Sequence, residues 1–228
     1  MKLMRLNNLN AQITLELTLL VRGRGKRIGW LIRVLVVSMA VLSLGLLSSL
    51  ELGNLKNIYL SLPGVWLLSS ALMMDNTVEI KNSGLAEILL QTYGPSYLGV
   101  RYLLYTVVTI LLSISFILLG GSVVSLMVGI GLSGLDAISL LSLSVIGSTA
   151  LMTVTVLLSV KIGGLRLLDT FSLASGGLTL LLIISMPSIL EALNQELFVC
   201  MLLAGTFSIA VLTIVYLKRH DFPALLTI

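Results

Sequence analysis

Residues 75–101 read DNTVEIKNSGLAEILLQTYGPSYLGVR, and this stretch separates two apolar runs of membrane length. It carries Asp75, Glu79, Lys81 and Glu87, the spacing Gly84–x–x–Glu87–x–Leu89–Leu90, then Thr92, Gly94–Pro95 and Arg101. A chain this apolar has few places to put charge. A short, charged, amphipathic segment between two spans therefore reads as a handle that a soluble partner can hold from one side of the membrane.

The surrounding composition supports a lipid environment. The chain has 228 residues, 57% of them hydrophobic and 11% charged, and a mean hydropathy of +1.10. A soluble domain carries about 25% charged residues. The net charge of +4 comes from 14 basic and 10 acidic residues. Nucleic-acid binding is the usual question for a basic protein, but topology accounts for the excess here, because Lys and Arg gather at the cytoplasmic ends of spans. The lone Cys200 excludes an internal disulfide and a cysteine metal cluster.

The expected fold is all-α and polytopic. A span needs about 20 mostly apolar residues, and six runs qualify: 28–50, 58–74, 98–119, 138–160, 165–187 and 197–217. They make up a transmembrane domain over 28–217, with a tail at 218–228. Residues 1–27 form an interfacial amphipathic helix and basic linker. Leu3, Leu6, Leu9, Ile13, Leu17 and Leu20 keep helical spacing between polar residues, so one face can rest in the acyl boundary. Residues 120–137 are apolar but glycine-rich and end near Asp136. They read as an external connection, a re-entrant helix or a seventh span. With the N-terminus inside and six spans, every Lys and Arg except Lys56 is cytoplasmic, while Glu51, Asp136, Glu191 and Glu196 fall outside. Both termini are then cytoplasmic.

Within the handle, Gly84 opens a short helix. Glu87 falls in its first turns, where the helix dipole favours an anion. Leu85, Ile88 and Leu89 supply an apolar side. Tyr93–Gly94–Pro95 ends the helix, since proline lacks a donor and biases the residue before it away from helix. Arg101 is expected to anchor the next span at the interface.

At these residues the chain resembles the ABC type-2 exporter permease family, and within it the heme exporter B subunits of cytochrome c maturation. The matching positions are Glu79, Gly84, Glu87, Leu89, Leu90, Thr92, Pro95 and Arg101. Pro63–Gly64–Val65–Trp66 with Ser69–Ser70 is similar to the second span of the heme subunits, and Lys161–Ile162–Gly163–Gly164 to their loop between spans four and five. Two departures stand out: Asn82–Ser83 occupies positions that are acidic in the heme subunits, and Pro95 is displaced by Tyr93–Gly94.

The resemblance implies a non-catalytic permease subunit with six spans, an N-terminal interfacial helix and a cytoplasmic coupling helix after the second span. It implies a separate ABC ATPase subunit that hydrolyses ATP, homodimer formation, and residence in the cell (plasma) membrane. Heme is the implied cargo, and other cytochrome c maturation membrane subunits are implied partners. An exporter of another hydrophobic or lipid-like substrate fits the same layout, as does a non-transporting membrane scaffold. No nucleic acid, bound cofactor or metal is expected for this chain.

Other constellations carry less. Gly131–Leu132–Ser133–Gly134 mimics an intramembrane serine protease motif, but the one histidine, His220, lies on the opposite side in this topology. Arg166 and Asp169 share a helical face and read as an interfacial ion pair. Cys200 and the nine methionines lack metal-ligand spacing. The P-loop pattern Gly-x-x-x-x-Gly-Lys-Ser/Thr does not occur.

Overall fold

A computed structural model describes residues 11–14, 28–51, 55–82, 84–94, 96–129, 134–161 and 196–219, with scattered helical positions between 170 and 188. Among these residues the fold is all helical. In chain order the elements are α1 (Ile28–Glu51), a 3-10 helix η1 (Leu55–Ser61), α2 (Leu62–Asn82), α3 (Leu85–Tyr93), α4 (Ser96–Val128), α5 (Gly134–Lys161) and α6 (Glu196–Arg219). Among the described residues, four stretches are long and apolar enough to cross a bilayer: Ile32–Glu51, Asn57–Lys81, Ser96–Val128 and Ala137–Val160. Leu202–Leu217 is a shorter apolar helix. This chain is a helical membrane protein.

The helices divide into inner and outer members. The span within η1–α2 is 72% buried and that of α5 67%, against 17% for α1 and 28% for α4. α2 packs against α1, η1, α3, α4 and α5, while α6 closes onto α4 and α5. The outer surfaces of α1, α4 and α6 present Val36, Leu119, Leu126 and Phe207. In water such a surface would drive association; in a bilayer it is the side that meets the acyl chains.

Helices in lipid gain little from hydrophobicity when they associate, so close backbone approach matters more. On α1 the residues Ser38, Gly45 and Ser49 are buried, and η1–α2 lies along them. Ser61 Oγ donates to the Leu42 carbonyl at 2.8 Å. A Cβ on Gly64 would come within 2.7 Å of the Ser38 carbonyl oxygen, and one on Gly45 would fall on the Ser61 hydroxyl, 2.5 Å from its backbone nitrogen. Gly45→Val is therefore expected to pry α1 from η1. Overpacking of this kind costs about 2 kcal/mol, and a lowered thermal midpoint of the detergent-purified protein would register it.

The helices run further than the hydropathy pattern implies. The second span, expected over 58–74, continues as helix through Asp75–Asn82. No glycine or proline interrupts it there, and its neighbours bury the polar turns. The third, expected over 98–119, runs from Ser96 to Val128. At 1.5 Å per residue this is about 50 Å of helix. Residues 120–128, expected as part of an external connection, are thus helix, and α4 stops at Gly129 with φ 73°. α5 starts at Gly134, before the expected 138. The sixth expected span, 197–217, coincides with α6. Of the N-terminal segment only Ala11–Thr14 is described, as helix. The expected span at 165–187 lies mostly outside the described residues; of the expected tail at 218–228, Lys218 and Arg219 end α6 and the rest lies outside them.

Candidate functional site

α3 is nine residues long, too short to be stable as an isolated helix in water. Its two ends and one face hold it. At the start Gly84 takes φ 70° and at the end Gly94 takes φ 67°, left-handed values that cost glycine nothing. Gly84 N–H donates to the Lys81 carbonyl at 3.2 Å, Gly94 N–H to Leu90 at 2.8 Å, and Tyr97 N–H to Gly94 at 3.1 Å. Ser96 Oγ also donates to the Tyr93 carbonyl at 2.7 Å. The chain thus leaves α2 through one glycine joint and enters α4 through another.

One face of α3 is docked. Leu89 is buried in a cluster with Met73 and Ile80 of α2, Tyr97, Tyr102 and Tyr105 of α4, and Met152 of α5; Leu85, Leu90 and Tyr93 pack against it. The Tyr93 and Tyr97 rings stack across the α3–α4 joint, with centroids 6.4 Å apart. The opposite face is open: Ile88 is 57% exposed, and Gln91 and Thr92 are exposed beside it.

Beneath α3 the inner turns of α2 and α4 are joined by polar groups. Arg101, only 3% exposed, donates from Nη2 to the Met73 carbonyl at 3.2 Å. Its guanidinium carbon lies 5.7 Å from the centroid of the Tyr105 ring. Asn76 Nδ2 donates to Tyr105 Oη at 2.6 Å. The Met73 carbonyl also accepts Thr77 Oγ1 at 2.8 Å. Lys81, likewise buried, lies close enough to Arg101 for their like charges to interact, and Asp75 is buried on the same turns of α2. On the same turn of α4, Tyr102 Oη shares a 3.0 Å hydrogen bond with Thr153 Oγ1 of α5.

The residues singled out in the sequence fall into three groups. Gly84, Glu87, Leu89, Leu90 and Thr92 lie on α3 or at its start; the Glu87 side chain is outside the described residues, as is Pro95. Glu79 is half-buried on α2. Arg101 is on α4, five residues from its start, and is buried in the bundle. It turns inward, because the Met73 carbonyl and the Tyr105 face offer it partners inside the bundle. Asn76 and Tyr105 escaped the sequence reading. For Tyr105 the signal was a run at four-residue spacing on one face of α4, Arg101, Tyr105, Thr109 and Ser113, all buried; Asn76 had no such signal.

Among the described residues no group of three or more His, Cys, Asp and Glu side chains could hold a metal ion. Ser133, His220, Arg166, Asp169 and Glu191, and the side chain of Glu196, lie outside the described residues. Comparison with family models, with curated proteins and with solved structures finds no match to this chain.

Proposed function

We propose that this chain is the transmembrane permease subunit of an ABC exporter, driven by a separate ATPase that grips α3 from the cytoplasm. The observation that carries this reading is α3 itself: a helix with one docked face and one open apolar–polar face, bracketed by two left-handed glycines between membrane-length helices. A helix so held can take a push from a soluble partner and pass it to the spans on either side. In this reading Gly84, Glu87, Leu89, Leu90, Thr92 and Pro95 form or frame the contact, and Glu79 and Arg101 support it from the flanking helices.

The finer reading follows the charge topology: six spans, both termini cytoplasmic, and a homodimer in the cell membrane. A role like that of the heme exporter B subunits, with heme as cargo and other maturation subunits as neighbours, rests on the motif at 79–101 and on the Pro63–Trp66 run. Binding of ATP to the partner would draw two copies of α3 together and rock their bundles.

Ile88→Asp tests this directly. Because Ile88 is exposed, the substitution leaves the core intact and the thermal midpoint within about 2 °C of wild type, as surface changes usually do. It should reduce recovery of a P-loop ATPase with the tagged chain from native membranes by at least about tenfold, since a charge buried without a partner at an interface costs several kcal/mol. Undiminished recovery would remove α3 as the coupling surface. An ATPase that binds but whose rate ignores this chain would make the protein a scaffold.

A further inference from the structure

We infer that Arg101, Tyr105 and Asn76 form a clamp that makes α2, α3 and α4 one mechanical unit, so that these three are the positioning residues through which movement of α3 reaches the spans. The inference deepens the coupling reading above and rests on it for its biological meaning.

The geometry sets the problem the clamp solves. Along the chain α3 is joined to α2 at Gly84 and to α4 at Gly94, both in the left-handed region. A Cβ at either glycine would touch nothing within 4 Å, so no neighbour packs on the glycines themselves. Two such joints would let α3 tilt while α2 and α4 stay where they are, and a push would be lost in backbone rotation. The inner end of α2 adds a second weak point. Thr77 Oγ1 bonds back to the Met73 carbonyl, an arrangement that bends helices.

The clamp crosses that same turn. Arg101 reaches the Met73 main-chain carbonyl and Tyr105 accepts from Asn76. Two residues one turn apart on α4 thereby grip less than one turn of α2. The grip on Met73 is to backbone, so it fixes the register of the two helices and not only their contact. Met73 is nine residues from the end of α2, about 13 Å along its axis, and Arg101 is five residues into α4, about 7 Å. α3 is thus one side of a closed triangle whose other two sides are pinned together. The donors and acceptors are buried, so no water can replace them if the helices part. Displacing α3 must then carry both spans along, and through Tyr102 and Thr153 it pulls on α5 as well.

The test uses Asn76→Leu with Tyr105→Phe, which removes both partners of that hydrogen bond at once. Such paired apolar replacement is close to neutral for stability. Arg101→Lys, which keeps the charge but loses the planar fork, serves as a second, independent variant. In a Cys200→Ser background, spin labels at Ile88→Cys and Leu119→Cys, both exposed positions, report the distance from α3 to the far part of α4. The expected result is a narrow distribution in the full-length parent protein and one at least twice as wide in either clamp variant. Equal widths in parent and both variants would overturn the clamp.

A second arm measures the co-purified ATPase. The clamp variants should still retain it, because the Ile88 face is untouched, but its stimulation by this chain should fall at least fivefold. Retained binding with unchanged stimulation would also overturn the inference. If no ATPase is recovered with the parent chain, it is the coupling reading that fails, and the distance measurement still decides whether the clamp exists.

Discussion

Gly147→Leu is expected to abolish recovery of folded, monodisperse protein, and even Gly147→Ala is expected to cost about 3 kcal/mol, at the upper end of ordinary overpacking. The position a Cβ would take at Gly147 falls on the six-membered ring of Trp66, at Cη2, Cζ2 and Cζ3. The indole has no room to yield. It is fully buried, its Nε1 donates to Ser113 Oγ at 3.1 Å, and Ile58, Leu62, Ile117, Leu140, Leu143 and Leu151 share its cluster. Trp66 therefore locks α2 against α4 and α5 at once, with a glycine on α5 as its seat. Trp66→Ala alone should cost about 3–5 kcal/mol as a cavity. The two changes must not add: Trp66→Ala with Gly147→Ala should be less destabilised than the sum of its singles by about 1–3 kcal/mol, the scale of coupling between touching residues. Reversible unfolding in mixed micelles would give all three values. Simple additivity would mean that the ring does not rest on Gly147.

Such a seat is hard to find in the sequence. Gly147 stands among Ser142, Ser144 and Ser148, and a run of small residues says only that some helix comes close. Trp66 sits beside Pro63–Gly64 near the start of its span and could equally have served an aromatic belt. Partner choice is a tertiary fact, and hydropathy does not carry it. What the pattern did convey was local. The left-handed glycines and the proline after them delimit a helix of nine residues between Gly84 and Gly94, because chain-breaking chemistry acts within a few residues. The ends of the longer helices were less legible for a related reason. Asp75, Glu79 and Lys81 lower the hydropathy of 75–82 and suggest a loop, yet nothing in their backbone preferences stops a helix, and α2 continues through them with Asp75 and Lys81 buried. Gly120 and Gly121 similarly suggested a break where α4 runs on. Glycine weakens a helix interior by only about 1 kcal/mol, which packing against Ile58 and Leu46 readily offsets.

The burial of those charges leads to the second large effect, at Arg101. Arg101→Leu is expected to destabilise the protein by about 3 kcal/mol. The loss includes the hydrogen bond to the Met73 carbonyl and the contact with the Tyr105 ring. A hydrogen bond from a charged donor contributes about 1.5–3 kcal/mol, and the guanidinium over the Tyr105 ring adds about 0.5–2 kcal/mol where water is excluded. The leucine recovers part of this by filling apolar space. Arg101→Lys separates the parts: the ammonium keeps the charge, but as a point donor on a flexible stem it cannot hold the Met73 carbonyl and lie flat on Tyr105 at once. Its cost should therefore fall between wild type and Arg101→Leu. Lys81 supplies a control for the sign. It is a like charge beside Arg101, so Lys81→Met removes a repulsion as well as a buried cation and should cost less than Arg101→Leu. If Lys81→Met proved the more damaging of the two, the stabilising cation at this end of the bundle would be Lys81, and the inward turn of Arg101 would contribute little to holding α2 against α4.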